Sequence, residues 1–156
     1  MKKTNKGFSL VELIIVIAIM AILAAAIAPA LIRYIDKSRR ADDVTAAGTV
    51  LTGVQTAMAD EDCYSEIAKA TSNQIIISVK GGSKNNVVVS STLTNHDNLV
   101  SEMESTLASG CPIKYTKDGA EYYNVAINGE TLTVYIATAA NTSEWEIQPS
   151  TCKKYK

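Results

Sequence analysis

The chain of 156 residues is poor in the groups that most catalytic and ligand-binding sites require. Lysine and arginine number 15 against 16 aspartate and glutamate, a net charge of −1. No sign of charge dominates, so there is no electrostatic case for whole-domain nucleic-acid binding. Histidine occurs once, at His96, and cysteine three times, at Cys63, Cys111 and Cys152. These four residues lack the short C-x-x-C spacing that defines structural zinc sites, so no metal is expected. His96 precedes Asp97 near an expected helix start and reads as a solvated turn residue rather than a base. Serines are plentiful, but none lies in a G-x-S-x-G elbow or an S-x-x-K signature, and no P-loop or dinucleotide fingerprint is present. No enzyme, cofactor or internal repeat is expected.

Charge is also missing from one long stretch. From Leu13 to Ile32 there are 20 residues without an ionisable side chain, enough to cross a hydrocarbon core as a helix. A basic leader with Lys2, Lys3 and Lys6 precedes Gly7, and between Phe8 and Ile32 the one charge is Glu12. A carboxylate within such a helix is costly, about 2.5–3.5 kcal/mol at the bilayer centre and less near the interface. Something must compensate it, so Glu12 is a functional candidate. A cleaved secretory signal ending at Ala26-Ile27-Ala28 or Ala28-Pro29-Ala30 is one reading of the segment, and a plain membrane anchor is another. Glu12 and the length of the run weigh against the first, and the second gives no reason for Glu12 or Gly7-Phe8. Orientation is not set by charge, because Arg33, Lys37, Arg39 and Arg40 match the leader lysines.

The leader ending in Gly7, the segment FSLVELIIVIAIMAIL from Phe8, and Pro29 far along the helix resemble the type IV pilins, most nearly those of clostridial Gram-positive bacteria. The close match covers residues 6–31. The resemblance implies a membrane-embedded prepilin peptidase cutting between Gly7 and Phe8, N-methylation of Phe8, and Glu12 neutralising the Phe8 amine of an adjacent subunit, with pairing to the Phe8 amine of its own chain as the other reading. It implies a precursor in the cytoplasmic membrane, drawn by an ATP-driven assembly machinery into an extracellular helical homopolymer serving adhesion, motility or aggregation. Three segments follow: a cleaved leader at 1–7, a transmembrane and filament-core helix at 8–32, and an extracellular globular domain at 33–156. A pseudopilin of a type II secretion or DNA-uptake system shares these N-terminal features. A membrane-anchored extracellular binding domain is the alternative of a different class.

An odd number of cysteines in an exported domain suggests one disulfide and one free thiol, and three reduced cysteines are the other reading. By resemblance the tentative pair is Cys111–Cys152. Nothing before Ala59 forces the helix to end, although Pro29 removes a backbone donor and should loosen it. Val44, Ala47, Leu51, Val54 and Met58 recur at helical spacing and are expected to form the buried stripe. Gly48 and Gly53 cost helix propensity but allow close packing. Asp60-Glu61-Asp62 is expected to open a connecting segment. Strands are expected at 75–79, 87–89, 123–127 and 132–136, with flanking strands at 112–115 and 144–147. A helix is expected over 97–107, a type I′ turn at Asn128-Gly129 and a turn at Asp118-Gly119. The fold class is α+β: a long N-terminal helix packed against an antiparallel sheet. Asn141-Thr142-Ser143 matches a glycosylation sequon by composition only.

Overall fold

The computed structural model describes residues 7–69, 74–82, 88–93, 96–129 and 131–156. Eight elements follow in chain order: α1 (Leu10–Ala59), α2 (Glu61–Ala68), β1 (Ile75–Lys80), β2 (Val88–Ser91), α3 (Asp97–Thr106), β3 (Tyr122–Asn128), β4 (Thr131–Ala137) and β5 (Trp145–Gln148). The strands form one antiparallel sheet in the order β2-β1-β3-β4-β5. The architecture is the expected α+β arrangement of a long helix and an antiparallel sheet. The chain divides into two compact units, Met1–Asp36 and Lys37–Lys156.

In the first unit, helical side chains from Leu10 to Ile35 are exposed, Val11, Ile17, Leu23 and Leu31 among them. Pro29 lies inside α1 without ending it.

In the second unit β1 and β3 are buried on both faces, and alternation decides which of their residues join α1 in the core. Ile75, Ile77 and Val79 of β1, Tyr123, Val125 and Ile127 of β3, and Val134 and Ile136 of β4 join one core cluster with Ala47, Val50, Val54 and Ala57 of α1. The helix therefore presents a stripe shifted from the expected one. Val50 and Ala57 are fully buried, whereas Val44, Leu51 and Met58 lie at its margin. An added Cβ on Gly53 would lie 3.5 Å from Leu107, at ordinary contact distance, so this position faces the end of α3 rather than the sheet and does not require glycine.

The opposite sheet face carries two fully buried polar residues, Ser78 and Asn124, opposite one another in the β1–β3 register. They recruit the segment between β4 and β5. The Ser78 hydroxyl donates to Asn141 Oδ1 at 3.1 Å and accepts from the Asn141 N–H at 2.8 Å. Asn124 Nδ2 donates to the Ala139 and Thr142 carbonyls at 2.9 and 2.7 Å. Asn141 takes φ +59°, a left-handed conformation that asparagine tolerates better than most residues.

Four expectations are corrected. Asp60-Glu61-Asp62 starts α2 instead of opening a loop: Asp60 Oδ1 accepts from the N–H groups of Asp62 and Cys63 at 3.0 and 3.1 Å, and the acidic first turn suits the helix dipole. Residues 112–115 form no strand: Pro112 has no N–H to offer a ladder, and those of Lys114 and Tyr115 are drawn to the Asp43 carboxylate on α1. Asn128 is not a loop residue; it pairs with Thr131, leaving Gly129 (φ +60°) as the first residue of the hairpin connection. The expected Cys111–Cys152 disulfide is not formed: Cys63, Cys111 and Cys152 are free thiols. Val87 of the expected 87–89 strand, Ser83–Asn86 of the glycine-containing connection and the leader lysines lie outside the described residues.

The segment after α3 is held by a clasp that sequence patterning did not show. Asp43 is fully buried on α1. Its Oδ1 accepts from the Lys114 N–H at 2.7 Å and its Oδ2 from the Tyr115 N–H at 3.0 Å. Lys114 Nζ bridges to Asp42 at 2.9 Å, and Arg40 Nη2 donates to the Tyr115 hydroxyl at 2.6 Å while its guanidinium lies 4.3 Å from that ring's centre. Tyr155, also buried, meets Tyr115 edge-on at 6.2 Å and lies 6.4 Å from Trp145. Lys154 covers the Trp145 ring at 3.6 Å and bridges to Asp118 at 3.1 Å. The C-terminal residues thus fasten the 111–118 segment to the sheet edge without a covalent bond. Glu66 of α2 provides another cross-tie, accepting from the Asn98 and Leu99 N–H groups at the start of α3 at 3.3 and 3.2 Å.

Burial raises the Asp43 pKa above 3.8, outweighing the two backbone donors that lower it. A raised folded-state pKa means that the native domain holds this proton more tightly than the unfolded chain. Its contribution is full below about pH 3.8, the unfolded value, and is lost as pH rises through the folded pKa. Thermal unfolding of the wild type relative to Asp43→Asn should therefore show a stability difference that moves in the wild type's favour as pH falls from 7 toward 4. Asp43→Ala should cost about 2–4 kcal/mol, since two buried N–H groups lose their acceptor. A denaturant titration at neutral pH measures it. Thiol labelling of the denatured, non-reduced protein should modify all three cysteines.

Candidate functional site at the N-terminus

Phe8, Ser9 and Glu12 are grouped by the way α1 begins. Ser9 occupies the cap position and Glu12 the third helical position, so SLVE reads as the S-x-x-E capping box. The Ser9 hydroxyl accepts from the Val11 N–H at 3.3 Å, and Glu12 Oε2 accepts from the Ser9 N–H at 2.8 Å. The first helical bond runs from the Leu13 N–H to the Ser9 carbonyl at 3.2 Å. Sequence reasoning singled out Glu12 but missed Ser9. The four-letter motif was the signal that could have found it.

This geometry fixes where the carboxylate stands. Glu12 is turned back toward the head of its own helix, where the unsatisfied N–H groups of the first turn favour negative charge. The Ser9 bond uses Oε2, which leaves Oε1 for a second donor. Gly7 and Phe8 precede the helix in non-helical backbone, and Phe8 is 88% exposed. An added Cβ at Gly7 would meet no atom within 4 Å, so glycine is not required there by packing within this chain. Pro29 lies 17 positions beyond Glu12 in the same helix and shares no site with it.

The apolar stretch following Glu12 is long and hydrophobic enough to cross a membrane, and its side chains are uncovered. Among the described residues no group of three or more histidine, cysteine, aspartate or glutamate side chains is placed to hold a metal ion. His96 lies at the start of α3, with Nδ1 2.8 Å from the Leu93 carbonyl. Cys63 is buried, and its surroundings push its thiol up to about 11, far from a reactive thiolate.

Comparison with known proteins converges on the same segment. Residues 2–28 match the prokaryotic N-terminal methylation motif. The type IV major fimbrial protein FimA of Dichelobacter nodosus is 29% identical over 163 aligned residues, which cover 99% of this chain and 100% of that protein. The fimbrial protein EcpC of Eikenella corrodens is 37% identical over 95 residues, 61% of each chain. A further Dichelobacter nodosus FimA is 41% identical over 63 residues, 40% of this chain and 39% of its own. No solved structure matches the chain. With an apolar helix headed by a capped glutamate, a methylation motif across that head and a fimbrial relative aligned over its whole length, the chain is similar to the type IV pilins, which are structural fimbrial proteins.

Proposed function

We propose that this chain is the repeating subunit of a type IV pilus, cut by prepilin peptidase between Gly7 and Phe8, methylated on the Phe8 amine and polymerised through α1. Residues 1–7 are the leader, 8–32 the membrane and then filament-core helix, and 33–156 the extracellular domain. The observation that carries this reading is a helix whose apolar side chains are exposed from Leu10 onward, with Glu12 at its head. Lipid covers these side chains first and neighbouring copies of the helix afterwards. Because lipid is as apolar as the side chains, assembly draws on packing and on a polar contact rather than on hydrophobic transfer. Glu12 supplies that contact. Its Oε2 stays on the Ser9 N–H while Oε1 receives the new Phe8 ammonium of an adjacent subunit, so the carboxylate is compensated at every stage. The whole-length similarity to a protein named as a major fimbrial subunit favours a fibre over a secretion pseudopilin.

Intact-mass measurement of protein sheared from cells should give the chain beginning at Phe8 plus one methyl group. A start at Ile27 or Ala30 would replace this account with a cleaved secretory signal. Glu12→Ala should leave subunits accumulating in the membrane while surface fibres largely disappear, with Glu12→Asp intermediate. Immunoblots of membrane and sheared fractions measure both, and normal fibre yield from Glu12→Ala would remove Glu12 from the mechanism.

A further inference from the structure

We infer that Asn128 is a site of self-modification: the Gly129 backbone nitrogen closes on the Asn128 carboxamide, helped by the Thr131 hydroxyl, and converts it to aspartate and isoaspartate. The site lies in the β3–β4 hairpin and does not depend on how the chain assembles. Four asparagines lie among the described residues, Asn98, Asn124, Asn128 and Asn141. Three of them are held against this chemistry. Asn98 is followed by Leu99, whose N–H is engaged by Glu66 Oε2 at 3.2 Å. Asn124 is fully buried, its amide donates to the Ala139 and Thr142 carbonyls, and the following Val125 pairs with strands on both sides. Asn141 Oδ1 accepts from the Ser78 hydroxyl at 3.1 Å, and the next residue, Thr142, is stiffened by its branched side chain.

Asn128 escapes each of these restraints. It is exposed, and among the described residues its carboxamide has no hydrogen-bond partner. It is the last residue of β3 to pair, opposite Thr131. Gly129 lies beyond the ladder, takes φ +60° and has open space where a side chain would stand. Its nitrogen therefore has no Cβ beside it and is not tied into the sheet. Thr131 Oγ1 donates to the Asn128 carbonyl at 2.8 Å, and that carbonyl shares its peptide group with the Gly129 nitrogen. When solvent base takes the proton from this nitrogen, resonance spreads the negative charge onto the Asn128 oxygen. The Thr131 hydroxyl is already aimed there, and a hydrogen bond to an anion is stronger than one to a neutral carbonyl. A donor placed where charge develops lowers the barrier.

The anionic nitrogen attacks Asn128 Cγ. A nitrogen–Cγ bond forms, the Cγ–Nδ2 bond breaks, and Nδ2 leaves as ammonia with a proton from solvent, closing a succinimide ring. Solvent water then adds to either ring carbonyl. Opening at the side-chain carbonyl gives aspartate; opening at the main-chain carbonyl gives isoaspartate, whose backbone is longer by a methylene. The sum is one water consumed and one ammonia released, with no oxidation or reduction. Each event adds a negative charge to a chain whose net charge is −1. The isoaspartate product also disturbs the Asn128–Thr131 pair that closes the ladder. The hairpin tip of an old subunit thus differs from that of a new one in charge and in backbone.

The test is incubation of the purified full-length protein in detergent, followed by peptide mapping for the mass gain of aspartate over asparagine and by enzymatic methylation of isoaspartate. Conversion should concentrate at Asn128 and quicken from neutral to mildly alkaline pH, because the Gly129 nitrogen must lose its proton. Gly129→Ala should slow it about fivefold, since a Cβ beside the nitrogen restricts the backbone and hinders closure. Thr131→Val keeps the branched shape and should slow it about two- to tenfold, the worth of one hydrogen bond. Thr131→Ser should restore the rate. In urea, wild type and Thr131→Val should convert equally, because the hairpin that aims the hydroxyl is gone. Conversion no faster at Asn128 than at Asn98, Asn124 or Asn141 would overturn the site. Equal rates for folded wild type and folded Thr131→Val would overturn the part given to the hydroxyl, as would a Thr131→Val effect undiminished in urea.

Discussion

A backbone that enters hydrocarbon must satisfy its hydrogen bonds within its own segment, and this constraint shapes everything N-terminal to the globular domain. It requires an uninterrupted helix, which α1 provides through Pro29. It requires apolar side chains on every face, which Leu13–Ile32 provide. It also makes any charge there conspicuous. Glu12 is tolerated because it sits at the head of the helix, where it closes a capping box with Ser9 and faces the positive end of the dipole. In the proposed fibre, Oε1, which the Ser9 contact leaves over, is the atom that receives the Phe8 amine of an adjacent subunit.

The later part of α1 obeys a different rule. From Asp43 to Ala57 only one face is buried, and the sheet, α3 and the C-terminal tail are organised around it. Asp43 is the unusual member of that face. A buried carboxylate is costly unless its acceptors are filled, and the Lys114 and Tyr115 N–H groups fill them. The requirement is mutual, because a segment without strand partners must find acceptors for its own backbone. Tyr115, Tyr155, Trp145 and the two cations Arg40 and Lys154 then close the clasp. Cys63, Cys111 and Cys152 are free thiols.

Local patterns made much of this legible. Alternation identified the core faces of β3 and β4, and the 97–107 spacing identified α3. The same reasoning failed where a polar residue did something its composition does not announce. Asp60-Glu61-Asp62 resembles a helix breaker but is a cap with a favourable first turn. Asn128-Gly129 resembles a two-residue turn, yet the pairing of Asn128 with Thr131 moves the connection along by one. Asp43 resembles its exposed neighbour Asp42, and only a contact 71 residues away distinguishes them. At the N-terminus the apolar run and Glu12 were plain, whereas Ser9 needed the reciprocal geometry of the cap. Long-range partners of single polar side chains leave no periodic trace.

The central claim is that the Glu12 carboxylate, held to its own helix through Ser9, is completed in the fibre by an amine from another subunit. A cryo-electron-microscopy map of the sheared fibre, resolved well enough to trace side chains in the helical core, addresses it directly. The account predicts that the Glu12 carboxylate lies within hydrogen-bond distance of the Phe8 nitrogen of an adjacent copy while keeping its contact with the Ser9 N–H. A map in which Glu12 meets no group of any neighbouring subunit would contradict it.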